Sequence, residues 1–152
     1  MINRSLFKTE HSVFYVCRKK ENTKWIERKG YQGCYEKHKD LIQKWIKYHK
    51  GLKDSINRAI LNTQSDRKVY MFGAHAFSQF LLAFGVDGSR IIAVLDNDKG
   101  KQGKRLYGTQ YKVFSIDALK DEYKPLIILR AGTHNKEIME GILNINETAE
   151  FV

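Results

Sequence analysis

His11, His38, His49, His75 and His134 carry the side chains that change charge nearest neutral pH. They are scattered. His75 and His134, however, each follow an apolar run, so both are expected in strand-end loops where they can face one another. Asp96 ends a third apolar run, 23 positions after Gly73. At that distance an acidic residue can hold a ribose or sugar hydroxyl, or simply cap the turn that follows its strand. Lys99, Lys101, Lys104 and Arg105 surround Gly100 and Gly103. This loop can turn amides and cations toward a phosphate, or stay solvated and mobile. Cys17, Cys34 and His38 are metal-ligand types, but the 16 residues between the cysteines match no zinc spacing. Reduced structural thiols are expected, with no metal site and no catalytic constellation.

Gly73 suits a tight turn after a strand. A dinucleotide fingerprint needs two further glycines, and His75 and Ser78 stand in their places. A side chain at 75 obstructs the close approach of a pyrophosphate, which argues against tight NAD or FAD binding. The helix start that follows still offers N–H groups to an anion.

These loops need a scaffold, and the apolar runs supply one. Val69–Phe72, Ile91–Leu95 and Leu126–Leu129 read as short buried strands, and residues 149–152 as a last one. Helices are expected over Phe77–Phe84, from Ser115 as N-cap, and over Lys136–Leu143. Continuous apolar strands alternating with helices imply a parallel sheet covered on both faces, a Rossmann-like α/β domain. Ligands then bind beyond the carboxyl ends of the strands, at the loops Gly73–Ala76, Asp96–Gly108 and Arg130–Asn135. Upstream, Ser12–Cys17 reads as one strand with no local partner. It either joins a sheet elsewhere in the chain or belongs to a preceding domain. A long helix is expected over Tyr35–Asn62, with Leu41, Trp45, Tyr48, Leu52, Ile56 and Ile60 on one face. The expected division is a strand and basic amphipathic helix over 1–66 and the Rossmann-like domain over 67–152.

With 152 residues, 42% of them hydrophobic, the chain can bury a core, which excludes intrinsic disorder. No apolar stretch reaches 18 residues, so no membrane helix is expected. Two cysteines and no export signal point to a reducing cytoplasm. The net charge of +10 sits entirely in residues 1–68, with 17 Lys+Arg against 7 Asp+Glu, while residues 69–152 carry 10 of each. Such a segment suits nucleic acid, an acidic lipid surface or an acidic partner, or is a solvated lysine-rich helix face.

Val69-Tyr70-Met71-Phe72-Gly73-Ala74, Asp96-Asn97, Lys101-Gln102-Gly103-Lys104 with Leu106 and Gly108-Thr109, and Ile128-Leu129 with Asn135, Glu137 and Ile138 together resemble the C-terminal domain of the sugar C-methyltransferases. The family methylates nucleotide-linked deoxysugars with S-adenosylmethionine. The long helix resembles its linker helix, and Ser12–Cys17 resembles the last strand of its methyltransferase domain. The resemblance implies a nucleotide-sugar partner held by Gly73, Ala74, His75, Asp96, Asn97, Lys101, Gln102, Lys104, Thr109, Arg130 and Asn135. It implies that S-adenosylmethionine and catalysis belong to a separate domain, that this chain alone binds no cofactor, and that nucleic acid is not the partner. The partner protein is then a catalytic methyltransferase domain or a second copy. Two other readings stay open: a small nucleotide-binding domain like those of sugar acetyltransferases and epimerase/dehydratases, and a non-catalytic assembly domain whose basic helix docks an acidic partner.

Overall fold

A computed structural model describes the backbone of residues 3–7 and 12–16 and all of residues 34–152. The chain forms two compact units, Met1–Glu36 and Lys37–Val152. In the first, β1 (Asn3–Phe7) and β2 (Ser12–Val16) form an antiparallel pair, with Asn3 opposite Val16 and Phe7 opposite Ser12. The expectation of a strand without a local partner is thus corrected. Ser12–Val16 pairs across a four-residue connection and takes no place in the larger sheet. Cys17 lies outside the described residues.

The second unit contains a five-stranded parallel sheet in the order β5-β4-β3-β6-β7. Its strands are β3 (Val69–Phe72), β4 (Ile91–Leu95), β5 (Val113–Phe114), β6 (Leu126–Leu129) and β7 (Glu150–Phe151). Three helices accompany it: α1 (Cys34–Asn62), α2 (Ala76–Ala83) and α3 (Asn135–Leu143). Single 3₁₀ turns at Gly88–Arg90, Ile116–Leu119 and Gly132–His134 complete the connections. Ser115 caps the second of these, its Oγ accepting the Asp117 N–H at 3.2 Å.

Alternation along the central strands sorts the core into two layers. Val69, Met71, Val94 and Ile128 pack with Ile56 and Ile60 of α1 and Leu81 of α2. Tyr70, Phe72, Leu95 and Ile127 pack with Leu119 and with Ile138 and Ile142 of α3. Both faces are therefore covered, which is why these strands are apolar at every position. The molecule is an α/β, Rossmann-like fold.

α1 behaves differently along its length. Ile56 and Ile60 are buried, whereas Leu41, Ile42, Trp45 and Tyr48 remain exposed. No basic residue stands in its last turn. Arg90 supplies the missing charge from the 3₁₀ turn just before β4. Its Nη1 donates to the carbonyls of Ile60 (2.9 Å) and Thr63 (2.8 Å), and its Nη2 to those of Gln64 (2.8 Å) and Arg67 (3.3 Å). The open carbonyls of a helix end are thereby satisfied by one guanidinium. No helix among the described residues is long and apolar enough to cross a membrane.

Candidate functional site

The strand order places β4 and β6 on opposite sides of β3. The chain therefore leaves β3 toward one side and later returns to the other, and a crevice opens at the carboxyl ends of such strands. Here it has a volume of about 530 Å3. The loop after β3 contributes Gly73 and His75, and the first turn of α2 contributes Ala76 and Phe77. The loop after β4 contributes Asp96, Asn97 and Lys101. The segment after β6 contributes Ala131, His134, Glu137 and Ile138, with Phe72 also in the lining.

Asp96 organises this crevice. It is 6% exposed. Its Oδ2 accepts the Ala74 N–H at 2.7 Å and the Lys101 Nζ at 3.0 Å, and its Oδ1 accepts the Asp98 N–H at 2.9 Å. Gln102 Nε2 donates to its carbonyl at 2.9 Å. One carboxylate thus fastens the β3 loop to the β4 loop and folds the latter around itself. Burial alone pushes the Asp96 carboxyl up, but the Asp98 and Ala74 N–H groups and the Lys101 ammonium outweigh it and hold the carboxyl below its usual range. Three of about four lone-pair directions are in use, so Asp96 acts chiefly as the strand-end cap.

His75 stands at the N-cap of α2 with extended backbone and makes no side-chain cap bond. The helix start keeps its N–H groups toward the crevice end of the sheet. Gly73 has φ +102°, and the His75 imidazole packs where a β-carbon on Gly73 would lie. Glycine is required here twice over: for the left-handed backbone and for the ring above it. Burial, then the nearby Lys101, lower the His75 pKa from 6.5, against a smaller opposing pull from Asp96. The imidazole is therefore neutral at pH 7. Its Nδ1 is buried without a hydrogen-bond partner among the described residues.

Of the residues expected at the site, Gly73, His75, Asp96, Asn97 and Lys101 line this crevice. Ala74 and Gln102 support it through Asp96. Lys104 and Thr109 do not line it. The carbonyl of Lys104 accepts the Val113 N–H, and Thr109 Oγ1 donates to the Leu106 carbonyl in a turn. Arg130 and Asn135 line another cavity, beside α1. Asn135 Oδ1 accepts the Ala131 N–H at 2.7 Å, which fixes the loop after β6. His75 and His134 line the same crevice, and His134 Nδ1 lies 3.7 Å from Glu137 Oε2. Phe72, Phe77, Glu137 and Ile138 also line it, outside the three loops expected to bind. A hydrophobic side chain carries no mark in the sequence of whether it faces the core or a crevice at a strand end.

The arrangement combines an apolar floor, an ion pair, a neutral imidazole and a helix start. These are the features of a holding site for a partly polar small molecule. The family model for the C-methyltransferase C-terminal domain matches residues 15–152. No curated protein and no solved structure matches the chain. The match runs from β2 to the last residue and takes in every element that builds the crevice, and the chain belongs to the C-methyltransferase C-terminal domain family.

Proposed function

We propose that this domain holds a nucleotide-linked sugar for a C-methyltransferase and leaves methyl transfer to a separate S-adenosylmethionine-binding domain. The observation that carries the reading is the convergence of three strand-end loops on one crevice of about 530 Å3, tied together by Asp96. A sugar ring has an apolar face for Phe72 and Ile138 and hydroxyls for Asn97, Lys101 and the neutral His75. Phosphates are served by the start of α2.

The methyl donor is assigned elsewhere because the glycine loop does not fit it. The His75 ring covers Gly73 and fills the space that such a loop offers an adenosyl cofactor for close backbone approach. What this chain's residues do is bind and orient the acceptor.

The test is isothermal titration of the chain with UDP- and TDP-linked hexoses. Binding in the micromolar to millimolar range is expected, weakened by Lys101→Ala, with no methyl transfer on adding S-adenosylmethionine alone. Silence with every nucleotide-sugar tried overturns the reading.

A further inference from the structure

The first half of α1 carries apolar side chains that the core does not use. Leu41 is 53% exposed and Tyr48 65%. Leu41, Tyr48 and Ser55 recur every seven residues, so they lie along one line of the helix surface, with Lys44 and Gly51 between them. A groove of about 570 Å3 follows this line, lined by Lys44, Lys47, Tyr48, Gly51, Leu52 and Ser55.

Gly51 has no reason to be glycine within this chain. It is a poorer helix former than alanine, and its position lies inside α1. A β-carbon on it would meet nothing within 4 Å, unlike one on Gly73. The notch it leaves faces outward. Ser55, one turn later, is also small, and its Oγ turns back to donate to the Gly51 carbonyl at 3.1 Å. Small residues one turn apart let a second helix approach closely.

The charges select the second helix. α1 carries seven basic residues against three acidic ones. Lys44 pairs with Asp40 only in an exposed pair, and Lys47 makes no ion pair among the described residues. A second copy of α1 would set lysines against lysines. So would residues 1–33, which hold eight Lys+Arg against three Asp+Glu. An acidic helix complements the same row. The groove lining holds no arginine, the residue whose planar fork suits phosphate, and a notch for a close backbone serves neither a lipid surface nor a nucleic acid.

We propose that this face of α1 docks an acidic amphipathic helix of a partner protein. Its aliphatic side chains pack on Tyr48 and Leu52, one of them entering the notch at Gly51, and its carboxylates meet Lys44 and Lys47. The crevice at the strand ends takes no part, so the proposal stands or falls independently of the nucleotide-sugar reading.

The experiment is fluorescence anisotropy of the full chain at about 0.15 M salt, where exposed charges beyond about 8 Å are screened. The probe is a labelled helical peptide with leucines along one face and glutamates on both flanks. The controls are the same peptide with lysine for glutamate, and polyglutamate, which has the charge without the apolar face. The acidic peptide is expected to bind in the micromolar range, and each control at least about tenfold more weakly. Lys44→Glu with Lys47→Glu should abolish binding of the acidic peptide and admit the lysine peptide. Gly51→Leu keeps every charge and favours the helix, yet should weaken the acidic peptide about tenfold by filling the notch. Circular dichroism and thermal unfolding should show both variants folded, with Gly51→Leu at least as stable as the parent. Polyglutamate binding as tightly as the peptide, or Gly51→Leu binding it like the parent, overturns the proposal as charge attraction alone. Silence with the acidic peptide also overturns it. Phosphatidylglycerol vesicles, single-stranded RNA and sedimentation of the chain alone complete the set. Tighter binding to vesicles or RNA than to the peptide, or self-association abolished by Gly51→Leu, assigns the face to that occupant and overturns the acidic helix.

Discussion

Asp96 Oδ2 accepts the Ala74 N–H at 2.7 Å, so a carboxylate at the end of β4 holds the loop that leaves β3. The same carboxylate meets Lys101 and the Asp98 N–H. Asp96→Ala strands two backbone donors and an ammonium in a largely buried place, and is expected to cost about 3 kcal/mol of stability. Urea unfolding measures it. A loss below about 1 kcal/mol would show that the three donors are satisfied by solvent.

The Asp96 pair also sets an acid dependence. The carboxyl is held below its usual 3.8 in the folded chain. Its contribution is therefore complete above 3.8 and disappears as pH falls through the lower, folded value. Asp96→Asn has no such proton to take up. The stability gap between parent and Asp96→Asn should stay constant above pH 3.8 and narrow as pH falls below it, and a gap that never narrows would contradict the assignment.

His75 behaves with the opposite chemistry. Burial and Lys101 lower its pKa from 6.5, so the unfolded chain binds a proton more readily than the folded one. Its share of stability falls as pH drops from 6.5 toward the folded value. The imidazole proton shifts in NMR should titrate below 6.5. Lys101→Met, which removes the repelling charge and leaves Asp96 facing the ring, should move the midpoint upward.

Gly73→Ala places a β-carbon against the His75 imidazole and forces φ +102° on an L-residue. A cost of about 2 kcal/mol is expected. Gly73→Ala combined with His75→Ala removes the collision but not the backbone strain, so thermal unfolding of the double variant should recover only part of the loss. Full recovery would show that the backbone conformation itself is without cost.

Arg90 holds four carbonyls after and within the last turn of α1. Lysine offers one ammonium where the guanidinium offers a planar fork, so Arg90→Lys is expected to cost about 2 kcal/mol. Hydrogen exchange should show the loss concentrated at residues 56–64, next to the restored open carbonyls.

The central sheet was legible because Val69–Phe72, Ile91–Leu95 and Leu126–Leu129 are short apolar runs between helical patterns, which only a doubly covered parallel sheet accommodates. Val113–Phe114 was not, since two residues carry no period. They are a strand only because Val94 and Leu95 pair with them. Asn3–Phe7 likewise lacks alternation, and its existence follows from Ser12–Val16 opposite it. Asp96 and His75 could be placed at strand ends from the runs before them. That Arg130 and Asn135 line a cavity with α1 could not, because it depends on how a helix 80 residues upstream packs against the sheet. Arg90 capping α1 was hidden for the same reason: its partners lie 23 to 30 positions away.

The lateral margins of the large sheet bear on the chain's behaviour in concentrated solution. β5 and β7 are two residues each. The outer side of β5 is already taken by its own preceding loop, through Val113 N–H to the Lys104 carbonyl, Gly103 N–H to the Val113 carbonyl, and the Arg105–Lys112 bridge. So little open ladder leaves a neighbouring molecule almost nothing to zip onto. Despite a centre built of β-branched and aliphatic runs, the five-stranded sheet is protected against edge-to-edge polymerisation by its own polar, lysine-bearing hem.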